Sequence, residues 1–130
     1  MTVRELMTTV KARRAGSDYT DKMLMDDLNR FEAQVQAEIY DKYDEASKPK
    51  RYAGDEVLRI EAPWDEMYIY LLMSKIDYAN GEIDDYNNDM SRHNDILTDY
   101  KNHYARTHKA NGYHINPLGK RRDTGCGLPL

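Results

Sequence analysis

The sequence predicts a mainly α-helical protein of about four helices: a long amphipathic helix and a helical hairpin, with an irregular loop and a flexible C-terminal tail. Apolar residues recur at steps of three and four along most of residues 2–107, which is the period of a helix. The seven glycines and four prolines lie between these stretches, at their edges or in residues 109–130. We therefore expect one helical domain over residues 1–108 and a tail over residues 109–130.

The first helix is expected over about residues 2–14. Thr2 and Glu5 have the spacing of a capping box, in which each side chain binds a backbone amide that the first turn leaves unpaired. Gly16 then offers the left-handed conformation that ends a helix. The predicted core face consists of Val3, Leu6, Met7 and Val10.

The second helix is expected over about residues 20–45 and has the clearest amphipathic pattern of the chain. Its core stripe consists of Leu24, Leu28, Phe31, Val35 and Ile39. The polar residues are expected on the other, solvated faces. They are Asp26, Asp27, Asn29, Arg30, Glu32, Gln34, Gln36 and Glu38.

Pro49 and Gly54 interrupt the helical pattern over residues 46–62. Residues 57–60 have β-like character, but the run is too short to build a sheet unaided. A plain extended loop is favoured. A strand here would have to pair with another short segment or with something outside the chain.

A third helix is expected over residues 63–79, with Pro63 at its first position and Asp65 and Glu66 near its positive end. This helix is apolar nearly all round, which predicts that it is the central, most enclosed element. The residues that give it apolar faces include Trp64, Met67, Tyr68, Tyr70, Leu71, Leu72, Met73 and Ile76.

A fourth helix is expected over about residues 82–107. The apolar phase runs through Gly81 without a slip, so either a hairpin broken at Gly81 or one kinked helix fits the pattern. The break is favoured, because a helix of more than forty residues is unusual in so small a domain. The narrow buried register of this helix supplies candidate oligomer contacts, namely Tyr86, Met90, His93, Leu97, Tyr100 and Tyr104.

The composition favours a protein that makes contacts with partners. Apolar residues make up 40% of the chain and charged residues 32%, so the subunit either forms thin helical layers or completes its core with neighbours. Eleven residues are tyrosines, which suit interfaces that are dry at one end and wet at the other, although ordinary core packing explains them equally well.

The charge of the chain is distributed unevenly. Residues 1–14 and 107–130 each carry four Lys or Arg against one acidic residue, while the net charge of the whole chain is −4. An acidic body with two basic ends is poorly suited to gripping nucleic acid, although either end could contact phosphate or an acidic partner. Cys126 is the only cysteine, so no internal disulfide forms and nothing indicates an oxidising compartment.

Patterns of catalytic or metal-binding residues are weak. Asp85, Asn87 and Asp89 imitate the start of a calcium loop, but the required Gly and final acidic ligand are absent, so a solvated helix surface is favoured. The carboxylates could act as general acids or bases only if packing brings two of them together in a dry cleft. Those considered are Glu32, Glu38, Asp77, Glu82 and Asp84. We expect no enzymatic activity, no cofactor, no metal and no membrane span.

The order and character of these segments resemble the head-tail connector or adaptor family of tailed phages and prophages. The resemblance extends over about residues 1–108 and includes LMDDLNRFEAQVQAEI and a final helix that ends near YARTH. Its most specific part lies in residues 63–90, above all YANGEIDDYNNDM.

This resemblance implies a helical subunit that forms a homo-oligomeric ring beneath the portal of a virion, assembled in the bacterial cytoplasm. DNA would pass through the ring without sequence-specific binding, and the neighbours would be portal and neck or tail proteins. The resemblance also implies a C-terminal arm that docks on the portal, which maps to residues 109–130. Its candidate docking residues are Lys109, Lys120, Arg121 and Arg122.

Two other classes remain open. A small helical prophage protein that binds a host factor, as a regulatory or interaction module, would share the same composition. A hydrolase that uses helix-borne carboxylates and histidines would need tight, stoichiometric metal binding.

Overall fold

The structure is a computed structural model, and it describes residues 1–43 and 48–108. These residues form a mainly α-helical fold of four helices, as the sequence predicts. The helices are α1 (Val3–Arg13), α2 (Asp21–Val35, which continues through a π-helical segment, Gln36–Tyr40, and a last turn, Asp41–Tyr43), α3 (Glu66–Ala79) and α4 (Ile83–Thr107). The predicted tail, residues 109–130, lies outside the described residues.

Helix α1 begins with the predicted capping box. The Glu5 backbone amide donates to the Thr2 hydroxyl over 3.2 Å, and the Thr2 amide donates to the Glu5 carboxylate over 2.8 Å. After the helix, Gly16 adopts a φ of +81°, a backbone conformation that residues with a Cβ atom rarely adopt. The buried face consists of Val3, Leu6 and Val10.

Helix α2 buries the whole predicted stripe, from Leu24 to Ile39. The prediction for its other faces is partly wrong, because Asp27, Asn29, Glu32 and Gln36 are buried as well. Three of these residues each lie one position after a core residue, so they border the apolar stripe. The loop of residues 48–60 covers that border and encloses them.

The loop pairs with the N-terminus of the same chain. Thr2 and Val57 form an isolated antiparallel bridge. The Val3 amide donates to the Glu56 carbonyl, and the Leu58 amide donates to the Met1 carbonyl, each over 2.9 Å. The favoured extended loop is confirmed, and its short β-like run bonds to the segment just before α1.

Helix α3 is the most enclosed helix, as predicted, with nine buried residues from Met67 to Asp77. It begins at Glu66, so the prediction that Pro63 occupies its first position is wrong. The Trp64 amide bonds to the Glu61 carbonyl, and the Met67 amide to the Trp64 carbonyl, each over 3.1 Å. Hydrogen bonds over three residues belong to turns, and they separate Pro63 from the helix.

The predicted break between α3 and α4 is confirmed. Gly81 has a φ of +76°, and the Glu82 amide bonds back to the Asp77 carbonyl over 2.9 Å, which closes α3. Helix α4 then packs along α3 as the second arm of a hairpin. Leu97 and Tyr100 of α4 complete the hydrophobic core.

Candidate functional site

The six predicted contact residues of α4 divide into two groups. His93, Leu97 and Tyr100 are buried within this chain, whereas Tyr86, Met90 and Tyr104 are half-buried. Any contact with another subunit through this face therefore has to use the half-buried residues. An oligomer interface along α4 stays a prediction.

His93 has a defined structural environment. Its Nδ1 lies 2.9 Å from the Met67 carbonyl oxygen, and its ring meets the Phe31 ring edge-on at 5.1 Å. Burial lowers the pKa of His93, so the neutral imidazole is favoured, with Nδ1 donating to the carbonyl. This arrangement explains the residue as a bonded core histidine.

An aromatic cluster joins the π-helical segment of α2 to the C-terminal half of α4. The Tyr40 and Tyr100 hydroxyls are 2.7 Å apart, and the Tyr104 ring contacts Tyr40 at 5.2 Å and Tyr43 at 5.6 Å. The Arg59 guanidinium lies 3.9 Å from the centre of the Tyr40 ring. Several of the chain's tyrosines therefore serve internal packing.

The end of the hairpin at which α3 turns into α4 is exposed. Tyr78 and Ile83 have 67% and 53% of their surface in solvent, and the Tyr78 ring lies 5.4 Å from the ring of Tyr86. Glu82, Asp84 and Asp85 flank Ile83 in the sequence and are exposed as well. No ion pair within the described ranges involves any of the three. We call the surface formed by Tyr78, Glu82, Ile83, Asp84, Asp85 and Tyr86 the tip surface.

Arg14 joins the end of α1 to both arms of the hairpin. Its Nε donates to Asp77 Oδ1 over 2.7 Å, and its second terminal nitrogen donates to Asp89 Oδ2 over 2.8 Å. The side chains of Asp77 and Asp89 are only 2% and 8% exposed, while that of Arg14 is 25% exposed. We call these three residues the Arg14 clasp.

The clasp contains one carboxylate pair, which combines Asp77 with Asp89 rather than with another of the candidate carboxylates. Burial is the largest of the effects that raise the pKa of Asp89 to about 6; the nearby Asp77 carboxyl group raises it as well, whereas Arg14 opposes the rise. Asp77 Oδ2 has no hydrogen-bond partner within the described residues. Because Asp89 is buried, the expectation that it lies on a solvated surface is wrong.

A second buried polar centre surrounds Glu32, which is fully buried. The Tyr52 and Tyr68 hydroxyls both donate to Glu32 Oε2 over 2.6 Å. The Arg59 amide donates to the Tyr52 hydroxyl over 2.9 Å, and the Ile60 amide to the Tyr68 hydroxyl over 3.1 Å. We call Glu32, Tyr52 and Tyr68 the Glu32 cluster.

The groups that donate hydrogen bonds to Glu32 are uncharged, and the cluster is enclosed by the protein. Burial raises the pKa of Glu32, while the two tyrosine hydrogen bonds oppose that rise. Glu32 Oε1 has no hydrogen-bond partner in the part of the chain that the structure describes. The cluster therefore fixes the loop to α2 and α3.

Two neighbours of Glu32 on the same border of α2 also bind the loop. Asn29 forms a pair of hydrogen bonds with the backbone of Tyr52, of 2.7 Å and 3.0 Å. The Arg59 guanidinium donates to Gln36 Oε1 over 2.8 Å. In the sequence, residues 29, 32 and 36 repeat the step of the apolar stripe one position later, which places them at its border but does not show what covers them.

An open pocket of about 300 Å³ lies between α1, the start of α2 and the loop. Val3, Met7 and Met25 supply its apolar wall. Two ion pairs border it, Lys11 with Asp21 at 2.9 Å and Arg4 with Asp55 at 3.5 Å. The charges at this pocket are therefore already compensated within the chain.

Within residues 1–43 and 48–108, no three His, Cys, Asp or Glu side chains are grouped so that they could hold a metal ion. None of the helices described here is both long and apolar enough to cross a membrane. No protein-family model, curated protein or solved structure matches the chain.

Proposed function

We propose that this protein is a non-enzymatic structural subunit of a phage or prophage virion neck, a head-tail connector or adaptor that forms a ring below the portal. One observation carries the proposal. The segment on which the resemblance is most specific, YANGEIDDYNNDM, contains the whole tip surface. A segment that only packed a core would have its aromatic residues buried, whereas here Tyr78 and Ile83 face solvent.

The charge of the tip surface supports a role in contacts with protein rather than in gripping DNA. Glu82, Asp84 and Asp85 form no ion pair within residues 1–43 and 48–108, and a phosphate backbone would be repelled by them. A ring with such surfaces would let DNA pass without sequence-specific binding. The portal and other neck or tail proteins would be its partners in the virion.

Light scattering and negative-stain imaging of the purified protein, alone and with a purified portal, test this proposal. We expect ring-shaped particles, either from the protein alone or on addition of the portal. A protein that stays monomeric and does not bind the portal contradicts it.

A regulatory or interaction module is the second candidate. The apolar pocket bordered by Met7 and Met25 favours it, because methionine-lined surfaces adapt to varied partners. The genes next to this one separate the two functions. Terminase, portal and capsid genes support the connector, whereas repressor or lysis genes support the module.

A further inference from the structure

We propose that the tip surface binds the basic C-terminal segment, residues 109–130, of a second copy of this chain. This inference names the contact that would join subunits in the proposed ring. It rests on the proposed function only for the ring shape of the final assembly. It also differs from the portal docking that the resemblance implies for the tail. The contact itself is tested on the protein alone.

The first argument is charge complementarity. The tip surface has three acidic side chains without an ion-pair partner in the described chain, Glu82, Asp84 and Asp85. The C-terminal segment carries three consecutive cations, Lys120, Arg121 and Arg122, directly after INPLG, in which Ile and Leu are apolar. An exposed apolar patch with an acidic rim fits a segment in which apolar residues precede a basic cluster.

The other basic end of the chain fits the tip surface less well. Of the four Lys or Arg residues in residues 1–14, Arg4 and Lys11 are paired with Asp55 and Asp21, and Arg14 is held in the clasp. Only Arg13 forms no ion pair within the described residues, whereas the C-terminal segment has three cations in a row. The C-terminal segment is therefore the better source of positive charge.

The dimensions of α4 favour a second copy over the same chain. The tip surface lies at the start of α4 and the tail follows its end, and the 25 residues between them span about 37 Å. From residue 107 to residue 120 the chain can reach at most about 45 Å when fully extended. Binding within one chain would therefore need near-complete extension, whereas binding to a neighbour does not.

A contact between opposite ends of two copies is heterologous, so it can be repeated from subunit to subunit. Such contacts close into a ring when the rotation between copies allows it. The tip surface and the tail together thus provide one head-to-tail contact per subunit.

Exchanging the charges tests the contact in the full-length protein. The tip variant carries Glu82→Lys, Asp84→Lys and Asp85→Lys, and the tail variant carries Lys120→Glu, Arg121→Glu and Arg122→Glu. Analytical ultracentrifugation at low salt measures self-association of each protein alone and of the two mixed. We expect each variant alone to associate at least about tenfold more weakly than the original protein, and the mixture to recover association.

The mixture distinguishes two copies from one. Recovery on mixing requires that the tip of one chain binds the tail of another. If only a chain with both exchanges recovers compactness, and mixing has no effect, the contact lies within one chain and the proposal is wrong. An original protein that remains monomeric at low salt also overturns it.

Two further variants guard against trivial effects. Asp95→Lys with Asp99→Lys changes exposed charge elsewhere on α4 and is expected to leave association unchanged. Because Lys is unfavourable at a helix N-terminus, helical circular dichroism checks that the tip variant is folded.

Tyr78→Ser with Ile83→Ser removes the apolar part of the tip surface without changing its charge, and it is expected to weaken association as well. Normal association of this folded variant would contradict the proposal. If the charge-exchange variants associate as expected but the protein does not bind the portal, the contact between copies is supported and the proposed virion role is wrong.

Discussion

The Glu32 cluster and the Arg14 clasp both hold carboxyl groups inside the protein, but they compensate them differently. Glu32 receives two tyrosine hydroxyls, whereas Asp77 and Asp89 share one guanidinium. Neutral donors leave the carboxyl group easier to protonate, and a guanidinium keeps at least one carboxylate charged. The comparison indicates that loss of Arg14 leaves uncompensated charge, while loss of a tyrosine hydroxyl leaves only unpaired dipoles.

The largest effect is expected from Arg14→Ala. Removing the guanidinium leaves Asp77 and Asp89 buried side by side without a cation, and breaking a buried ion pair costs about 3–5 kcal/mol. Because a quarter of the Arg14 side chain is exposed, we expect a loss of about 3 kcal/mol in the free energy of unfolding. Urea denaturation followed by circular dichroism at pH 7 measures it.

The neighbouring Arg13 provides the matched control. Its side chain is exposed, so Arg13→Ala is expected to change the free energy of unfolding by less than about 0.5 kcal/mol. Equal effects of the two substitutions would show that the clasp does not stabilise the fold.

A smaller effect is expected from Tyr52→Phe. The substitution keeps the ring but removes a donor to Glu32 and an acceptor for the Arg59 amide. Leaving buried groups unpaired costs about 1–3 kcal/mol, so we expect a loss of about 2 kcal/mol in the same denaturation experiment.

Tyr70→Phe is the control for this substitution. Tyr70 is half-buried on α3, and no hydrogen bond of its hydroxyl is seen in the described residues. Its loss is expected to cost less than about 0.5 kcal/mol. A Tyr52→Phe protein as stable as the Tyr70→Phe protein would contradict the role assigned to the Glu32 cluster.

These two centres also show where sequence reasoning stops. The apolar stripes, the capping box and the break at Gly81 could be predicted, because each depends on residues close together in the sequence. The burial of Asn29, Glu32 and Asp89 depends on which distant segment covers them. A polar residue next to an apolar stripe has the same local pattern whether solvent or the loop of residues 48–60 lies above it. Only part of the tip surface could be predicted: Tyr86 is among the predicted contact residues, whereas the sequence pattern alone does not distinguish an exposed Tyr78 or Ile83 from a packed one.

The Arg14 clasp is expected to make the stability of the protein depend on pH, through the carboxyl group of Asp89. The pKa of Asp89 is raised to about 6 in the folded state, and an aspartate in the unfolded chain titrates near about 3.9. The folded state therefore binds a proton more tightly. The stabilisation from this proton is complete below the unfolded pKa and is lost as the pH rises through about 6.

Asp89→Asn mimics the protonated carboxyl group and is expected to remove this part of the pH dependence. Thermal melts between pH 4 and pH 8 measure the difference between the two proteins. Since Arg14 is partly exposed and its interaction is screened, we expect the original protein to lose on the order of 1 kcal/mol more than the variant across that range. Parallel pH profiles would show that Asp89 does not titrate as described.

The smallest effect on stability is expected at the tip surface. Tyr78→Ser and Ile83→Ser alter side chains that are mostly exposed, so each should change the free energy of unfolding by less than about 0.5 kcal/mol. Tyr68→Ala, in the same hairpin but fully buried, should cost about 3–5 kcal/mol. Urea denaturation compares the three proteins directly. A large loss from Tyr78→Ser would mean that Tyr78 contributes to the core, and the tip surface would then have to be assigned to folding rather than to contact with another protein.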